Sequence, residues 1–129
     1  MPDTFTQPQN NAEHIISEVH MGLSRDVVGI VASTTLKAGA VLGRVTSSGL
    51  YKEHDPAASD GSEAVNSTVV LLADVSVGSG GGTAVVTARL AEVNSGLLVW
   101  KSGMTTNQKN AAIAGLATRF IIARTGVVL

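Results

Sequence analysis

The chain has 129 residues, enough for one domain that buries roughly two-thirds of the surface its unfolded form exposes. Nine basic and ten acidic residues leave a formal net charge of −1 with no block of either sign, so neither nucleic acid nor an anionic membrane is expected as a partner. Cysteine is absent, which removes disulfides and thiolate metal sites, and no apolar run reaches the roughly 18 residues of a membrane span. Residues 1–18 carry neither a basic n-region nor a long apolar h-region, so a secretory leader is not expected. Apolar residues make up 44% of the chain but aromatics only 3%. Small apolar side chains bury little area each, and association between copies would supply what a thin core lacks.

Residues 1–12 are polar, with two prolines and one aromatic, Phe5. Such a segment buries too little to offset its ordering cost, so a mobile arm is expected. Thr4, Phe5, Thr6 and Gln7 suit an extended strand that orders on a partner. Glu13–Met21 fits a helix or a strand equally, because Ile15, Ile16 and Val19 are β-branched yet spaced along a possible stripe. Leu23–Asp26 reads as a turn into a strand over Val27–Ser33. The sequence from Thr35 to Leu72 then forms the organising unit: Gly39 turns the chain, Val41 and Leu42 start a strand, and Ser47-Ser48-Gly49 turns into Leu50-Tyr51-Lys52. A polar loop over His54–Glu63 leads to Val65–Ala73, apolar on both faces and expected as a doubly buried strand.

Gly78–Gly82 is a flexible connector. Thr83–Ala91 alternates, with Ala84, Val86, Ala88 and Leu90 on one face and Val85, Thr87, Arg89 and Ala91 on a half-exposed outer face. Glu92–Gly96 reads as a turn and Leu97–Trp100 as a short buried segment. Thr105 and Gln108 have the spacing of a capping box, so one short helix starts there. Ile113, Leu116, Ala117 and Phe120 fall on one face of it. Ile121–Ala123 is apolar, and Gly126–Leu129 reads as a closing strand. Val41, Leu42, Leu98, Trp100 and Phe120 are the residues expected to pack the core or a subunit contact.

Motifs for chemistry are weak. His14 and His20 are six residues apart, matching no metal-ligand spacing, and His54 lies in a polar loop, so all three read as surface or loop histidines. Asp55, Asp60 and Glu63 lack the alternation of a calcium loop, and Asp55-Pro56 and Asp60-Gly61 are ordinary turn pairs. Gly78–Thr83 has no Gly-Lys-Ser/Thr ending and joins two strands, which excludes a phosphate cradle of the usual kind. No nucleophile elbow is present. Lys37 precedes its turn instead of sitting at a hairpin tip, unlike the lysine of a lipoyl or biotinyl carrier. No catalytic, cofactor-binding or metal residues are assigned, no cofactor is expected, and the protein is not expected to be an enzyme.

Three groups of residues carry a resemblance. They are Ser24-Arg25-Asp26-Val27-Val28; Leu36-Lys37-Ala38-Gly39-Ala40-Val41-Leu42-Gly43-Arg44-Val45; and Asp60-Gly61-Ser62-Glu63-Ala64-Val65. Leu71-Leu72-Ala73-Asp74-Val75 and Leu97-Leu98-Val99-Trp100, followed by an alanine-rich helix, complete the order. From about Glu13 onward the chain resembles the lambda-type head decoration proteins of tailed bacteriophages. It departs from the shorter lambda-type pattern in its longer Glu13–Ser33 stretch and its Gly-rich loop.

The resemblance implies a mainly β fold with one short C-terminal helix, a compact β-clip-like or small β-barrel-like domain with little regular structure. It divides the chain into a flexible arm, residues 1–12, and a single decoration domain, residues 13–129. It further implies a homotrimer, made in the host cytoplasm, that sits on the outside of the virion at local threefold positions of the expanded capsid. There it would bind the major capsid protein and stabilise the shell against internal DNA pressure, with the arm ordering against the shell. The alternative is a small receptor- or carbohydrate-binding β domain of a phage fibre or cell-surface protein. That alternative needs an exposed aromatic platform, for which Tyr51 and Trp100 are the candidates.

Overall fold

Gly39 holds the centre of the structure at a φ of 89°, a left-handed position that suits a residue without Cβ. Its amide donates to the Leu71 carbonyl at 2.8 Å, and its own carbonyl accepts from the Val99 amide at 2.8 Å. The turn therefore ties together three segments that are far apart in sequence. The computed structural model of the chain describes residues 13–125. Twelve elements follow in order: β1 (Ile15–Glu18), α1 (Met21–Ser24), β2 (Arg25–Ile30), β3 (Thr34–Leu36), β4 (Val41–Arg44), β5 (Tyr51–Glu53), β6 (Val69–Leu71), β7 (Val75–Val77), β8 (Gly82–Thr87), β9 (Ala91–Asn94), α2 (Thr106–Ala117) and β10 (Ile121–Arg124).

The strands fall into three groups. β2, β5, β4, β6 and β8 pair in that order, and β8 pairs back on β2 over six residues from Arg25↔Thr87 to Ile30↔Gly82. β1, β9 and β10 form a second sheet, antiparallel between β1 and β9 and parallel between β9 and β10. β3 and β7 make a two-stranded ribbon.

Two cores result from the period-two alternation of β4 and β6. Leu42, Val69 and Leu71 face the inside of the five-stranded ring with Ile30, Tyr51 and Val86. Val41 and Val70 face the opposite way, into a second core with Val93, Leu98, Leu116 and Ile121. That second core fills the space between the ring and the layer made by β9, β10 and α2. The ring is thus covered on one outer side, which is why Thr87 is buried although Val85, two residues earlier on the same face, is exposed.

The expected fold class is corrected here. In place of a mainly β, β-clip-like or barrel-like domain with one helix, the described residues form a mixed α/β structure with two α-helices and three separate sets of strands. Within the five-stranded ring the contact between β2 and β5 is slight, a single register pair, Ile30↔Tyr51. The physical reason for the mixed fold lies partly in α2, whose 12 residues make three full turns and cover one side of the strands. Its capping box is complete: Thr105 Oγ1 accepts from the Gln108 amide at 3.1 Å, and Gln108 Oε1 accepts from the Thr105 amide at 2.9 Å.

Three further expectations give way to tertiary packing. Val65–Ala73 is not one strand: Val65–Ser67 forms a 3-10 turn, and only Val69–Leu71 is extended and fully buried. The backbone of α2 seats on that turn through Gly115, where a Cβ would lie 2.0 Å from the Val65 carbonyl oxygen. Glu92–Gly96 is a turn only at its end, since β9 runs to Asn94. Glu13–Met21 resolves into β1 followed by the start of α1, because β1 has β9 to pair with. The closing strand expected at residues 126–129 lies outside the described residues.

Candidate interaction surface

Two of the three histidines are not on the surface. His14 and His54 are buried, while His20 is exposed. The His54 amide donates to the Val41 carbonyl at 2.9 Å. Its Nδ1 lies 2.8 Å from the Ser62 carbonyl oxygen, an acceptor, so Nδ1 carries the proton. Burial pushes the His14 imidazole down to about 4, against a partial offset from the Glu18 carboxylate. Neither ring belongs to a cluster of metal-ligating side chains, and no such cluster exists among the described residues. At Asp60, hydrogen bonds from Lys52 and Ser62 hold the carboxyl below the usual carboxylate range. That arrangement fixes the His54–Glu63 loop: Asp60 Oδ1 accepts from both the amide and the hydroxyl of Ser62.

The surface is more informative than the loop. Among the described residues, large apolar side chains are exposed at Val19, Leu23, Val27, Val85 and Phe120. All five lie on segments bonded directly to one another. The Val19 amide donates to the Leu90 carbonyl at 3.1 Å, and the Ala91 amide to the Phe120 carbonyl at 3.0 Å. Arg89 Nη1 donates to the Leu23 carbonyl at 2.6 Å, and Val27 and Val85 are cross-strand partners. The result is one belt running from the β2–β8 pair across to the start of β9 and β10.

The belt has two parts of different shape. Val27 and Val85 stand side by side as an apolar ridge, with Leu23 exposed on the segment leading into β2. Val19, Leu90, Ala91, Phe120 and Ile122 line an open groove of about 300 Å³, with Glu18 and Glu92 at its sides. Leu90 and Phe120 hold positive φ angles of 55° and 61°. Left-handed backbone at a bulky non-glycine residue is uncommon and costs on the order of 1–2 kcal/mol.

Three ion pairs frame this belt. Arg25 grips Glu18 through two hydrogen bonds of 2.8 and 2.9 Å. Arg89 holds Asp26 at 2.5 and 3.2 Å, and Arg124 pairs with Glu92. Glu92 also accepts from Ser17 Oγ at 2.7 Å, and that bond together with Arg124 holds its carboxyl below the ordinary value. An exposed pair such as Arg124–Glu92 stabilises the fold little. Their consequence is that the carboxylates bordering the apolar belt are each met by a guanidinium.

Of the residues expected to pack the core or a subunit contact, Val41, Leu42 and Leu98 are buried in the chain's own two cores, and Trp100 is half-buried against the second. Phe120 is 66% exposed and does not share the buried face of α2, which consists of Ala112, Gly115 and Leu116. The helix stops at Ala117, and the left-handed turn at Phe120 sends Ile121 inward and leaves the phenyl ring outside. Thr4, Phe5, Thr6 and Gln7 lie outside the described residues. Tyr51 is buried in the ring, so the aromatic platform that a sugar-binding reading requires is not formed by it.

A family model for bacteriophage lambda head decoration protein D matches residues 4–121. The chain belongs to that family. Its role is accordingly a structural one at the phage capsid, and its place is with the virion. Among curated proteins, none matches the chain. Within the decoration family reading, the belt missed by sequence reasoning had one legible sign. The outward placement of Val85 follows from the alternation of Thr83–Ala91, and Val27 lies directly opposite it.

Proposed function

We propose that this protein is a non-enzymatic capsid cement: a homotrimer that sits at local threefold positions of the expanded phage shell and holds neighbouring major capsid subunits together against internal DNA pressure. The observation that carries this reading is the exposed apolar belt on a chain of the decoration family. Large apolar side chains exposed on neighbouring segments are suited to a protein partner. In this reading residues 1–12 are the arm that grips the shell, with Thr4, Phe5, Thr6 and Gln7 as its contact residues. Three arms on one trimer act multivalently, because engagement of the first makes the second and third intramolecular. Shell expansion creates the site, and no cofactor takes part.

Co-sedimentation with empty capsids tests this directly. The full chain is expected to pellet with expanded shells and not with precursor shells, and a chain lacking residues 1–12 is expected to bind at least tenfold more weakly. Equal binding by the truncated chain would remove the arm from the mechanism. Equal binding to precursor shells would remove expansion.

A further inference from the structure

We propose that the slot between β3 and the end of β5 takes an extended segment of the shell protein as an added strand, so that the body of the domain grips the capsid as well as its arm. The inference rests on the reading of the chain as a capsid cement and assigns a contact surface separate from the apolar belt.

The slot is defined by main chain. Hydrogen-bonding direction alternates along an antiparallel strand, so one observed bond fixes its neighbours. In the ribbon, the Ser33 amide donates to the Gly78 carbonyl at 2.9 Å. Thr35 therefore faces β7, and the peptide groups of Thr34 and Leu36 face the other edge, where β3 has no neighbouring strand. In β5, the His54 amide donates to the Val41 carbonyl at 2.9 Å, and the Leu50 carbonyl accepts from the Val45 amide at 2.8 Å. Lys52, between them, faces β4, so Tyr51 and Glu53 face outward. The Val31 amide donates to the Tyr51 carbonyl at 3.0 Å, but Glu53 has no register partner on β2. Thr34, Thr35 and Leu36 of β3 and Lys52 and Glu53 of β5 line one groove of about 250 Å³, together with Asp55 and Lys101. Two unpaired strand edges in one groove are matched by a third main chain in extended form, which offers donors and acceptors to both.

The lining also selects the occupant. It is largely threonine and charged side chains, whereas permanent contacts between subunits are the more hydrophobic kind, so a partner met after folding fits it better than a second copy. Lys52 is held by Asp60 at 2.7 Å, and Asp55 Oδ1 accepts from the Ala57 amide at 3.0 Å. Glu53 and Lys101 have no ion-pair partner among the described residues. The occupant therefore brings an acidic side chain to Lys101 and a basic one to Glu53. Residues 1–12 contain no lysine or arginine, so the chain's own arm does not supply that combination.

Expanded empty shells are the probe. By hydrogen exchange of the unmodified protein, the amides of Thr34, Leu36 and Glu53 should exchange freely in solution and at least tenfold more slowly on the shell. Glu53→Pro removes an outward N–H that the fold does not use, and edge strands accept proline. It should weaken co-sedimentation by about tenfold, because the acceptor it faces is left buried without a donor. Glu53→Ala keeps the N–H and should lose less, while Lys101→Glu should weaken binding through charge alone. Urea unfolding confirms that each variant is folded, and the exchange measurement decides the matter if Glu53→Pro is not. Slot amides that stay unprotected on the shell overturn the proposal. Protection already present in the free protein overturns it too, since another copy or the arm then fills the slot. Equal losses for Glu53→Ala and Glu53→Pro overturn the strand pairing. Failure of the unmodified protein to bind expanded shells overturns the cement reading itself, and this inference with it.

Discussion

Gly115→Ala sets two effects against each other and lets the structure decide between them. In an exposed helix interior, alanine is more favourable than glycine by about 1 kcal/mol. At position 115, however, the new Cβ would stand 2.0 Å from the Val65 carbonyl oxygen, 2.5 Å from its carbon and 2.8 Å from its Cβ. Two of those atoms are backbone and cannot rotate away. Restoring ordinary contact at 3.4 Å requires the two backbones to part by roughly 1.4 Å, and even a gap of about 1 Å forfeits up to half of each dispersion contact it opens. Leu116, fully buried in the second core, is the next residue and moves with the helix. Overpacking of this kind costs about 1–3 kcal/mol, and direct backbone conflict places it near the top of that range. After the gain in helix propensity, Gly115→Ala should be destabilising by about 2 kcal/mol. Ala114→Gly, at an exposed interior site on the same helix, should cost about 1 kcal/mol and serves as the propensity control. Urea unfolding followed by circular dichroism, at one fixed protein concentration, measures both. If Gly115→Ala matched or exceeded the parent in stability, the close seating of α2 on the 65–67 turn would be wrong. So would the account of how Phe120 is delivered to the surface.

Other consequences are open to simpler tests. The folded protein resists protonating His14 down to about pH 4, whereas the unfolded chain takes up that proton near the ordinary imidazole value of about 6.5. Stability contributed by the neutral ring is therefore present above 6.5 and is lost as the pH falls towards 4, by about 2 kcal/mol between pH 7 and pH 5. Urea midpoints at those two values should differ more for the parent than for His14→Leu, and equal differences would refute the burial argument. Thr105→Ala removes the acceptor for the Gln108 amide and should cost about 1 kcal/mol, read from the same unfolding curves. Phe120→Gly relieves the left-handed strain and removes an exposed ring. It should leave the fold as stable or raise it by about 1 kcal/mol. A loss of fold stability there would mean that the ring packs against its own chain.

What could be read from the sequence was local. Thr105 and Gln108 announce the start of α2 because a capping box is a contact between residues three apart, and both of its hydrogen bonds are present. Gly39 marks a turn for the same reason, since its conformation is a property of one residue. Alternation placed Val85 outward. The features that escaped are those set by distant partners. Val65–Ser67 reads as strand until Gly115, fifty residues later, brings a helix backbone down on it. His54 sits among polar loop residues, yet Val41 and Ser62 enclose it. Phe120 continues the helical spacing of Ile113 and Leu116, but spacing cannot show where a helix stops when no glycine marks its end. The candidate surface combines all of these limits: Val19, Leu23, Val27, Val85 and Phe120 come from three separate stretches of chain, and the pairing of β2 with β8, of β1 with β9 and of β10 with β9 joins them.

The most direct measurement of the central claim is sedimentation equilibrium of the unmodified protein at low micromolar concentration. The account predicts a single species of three chain masses. A well-folded single chain at that concentration would contradict it.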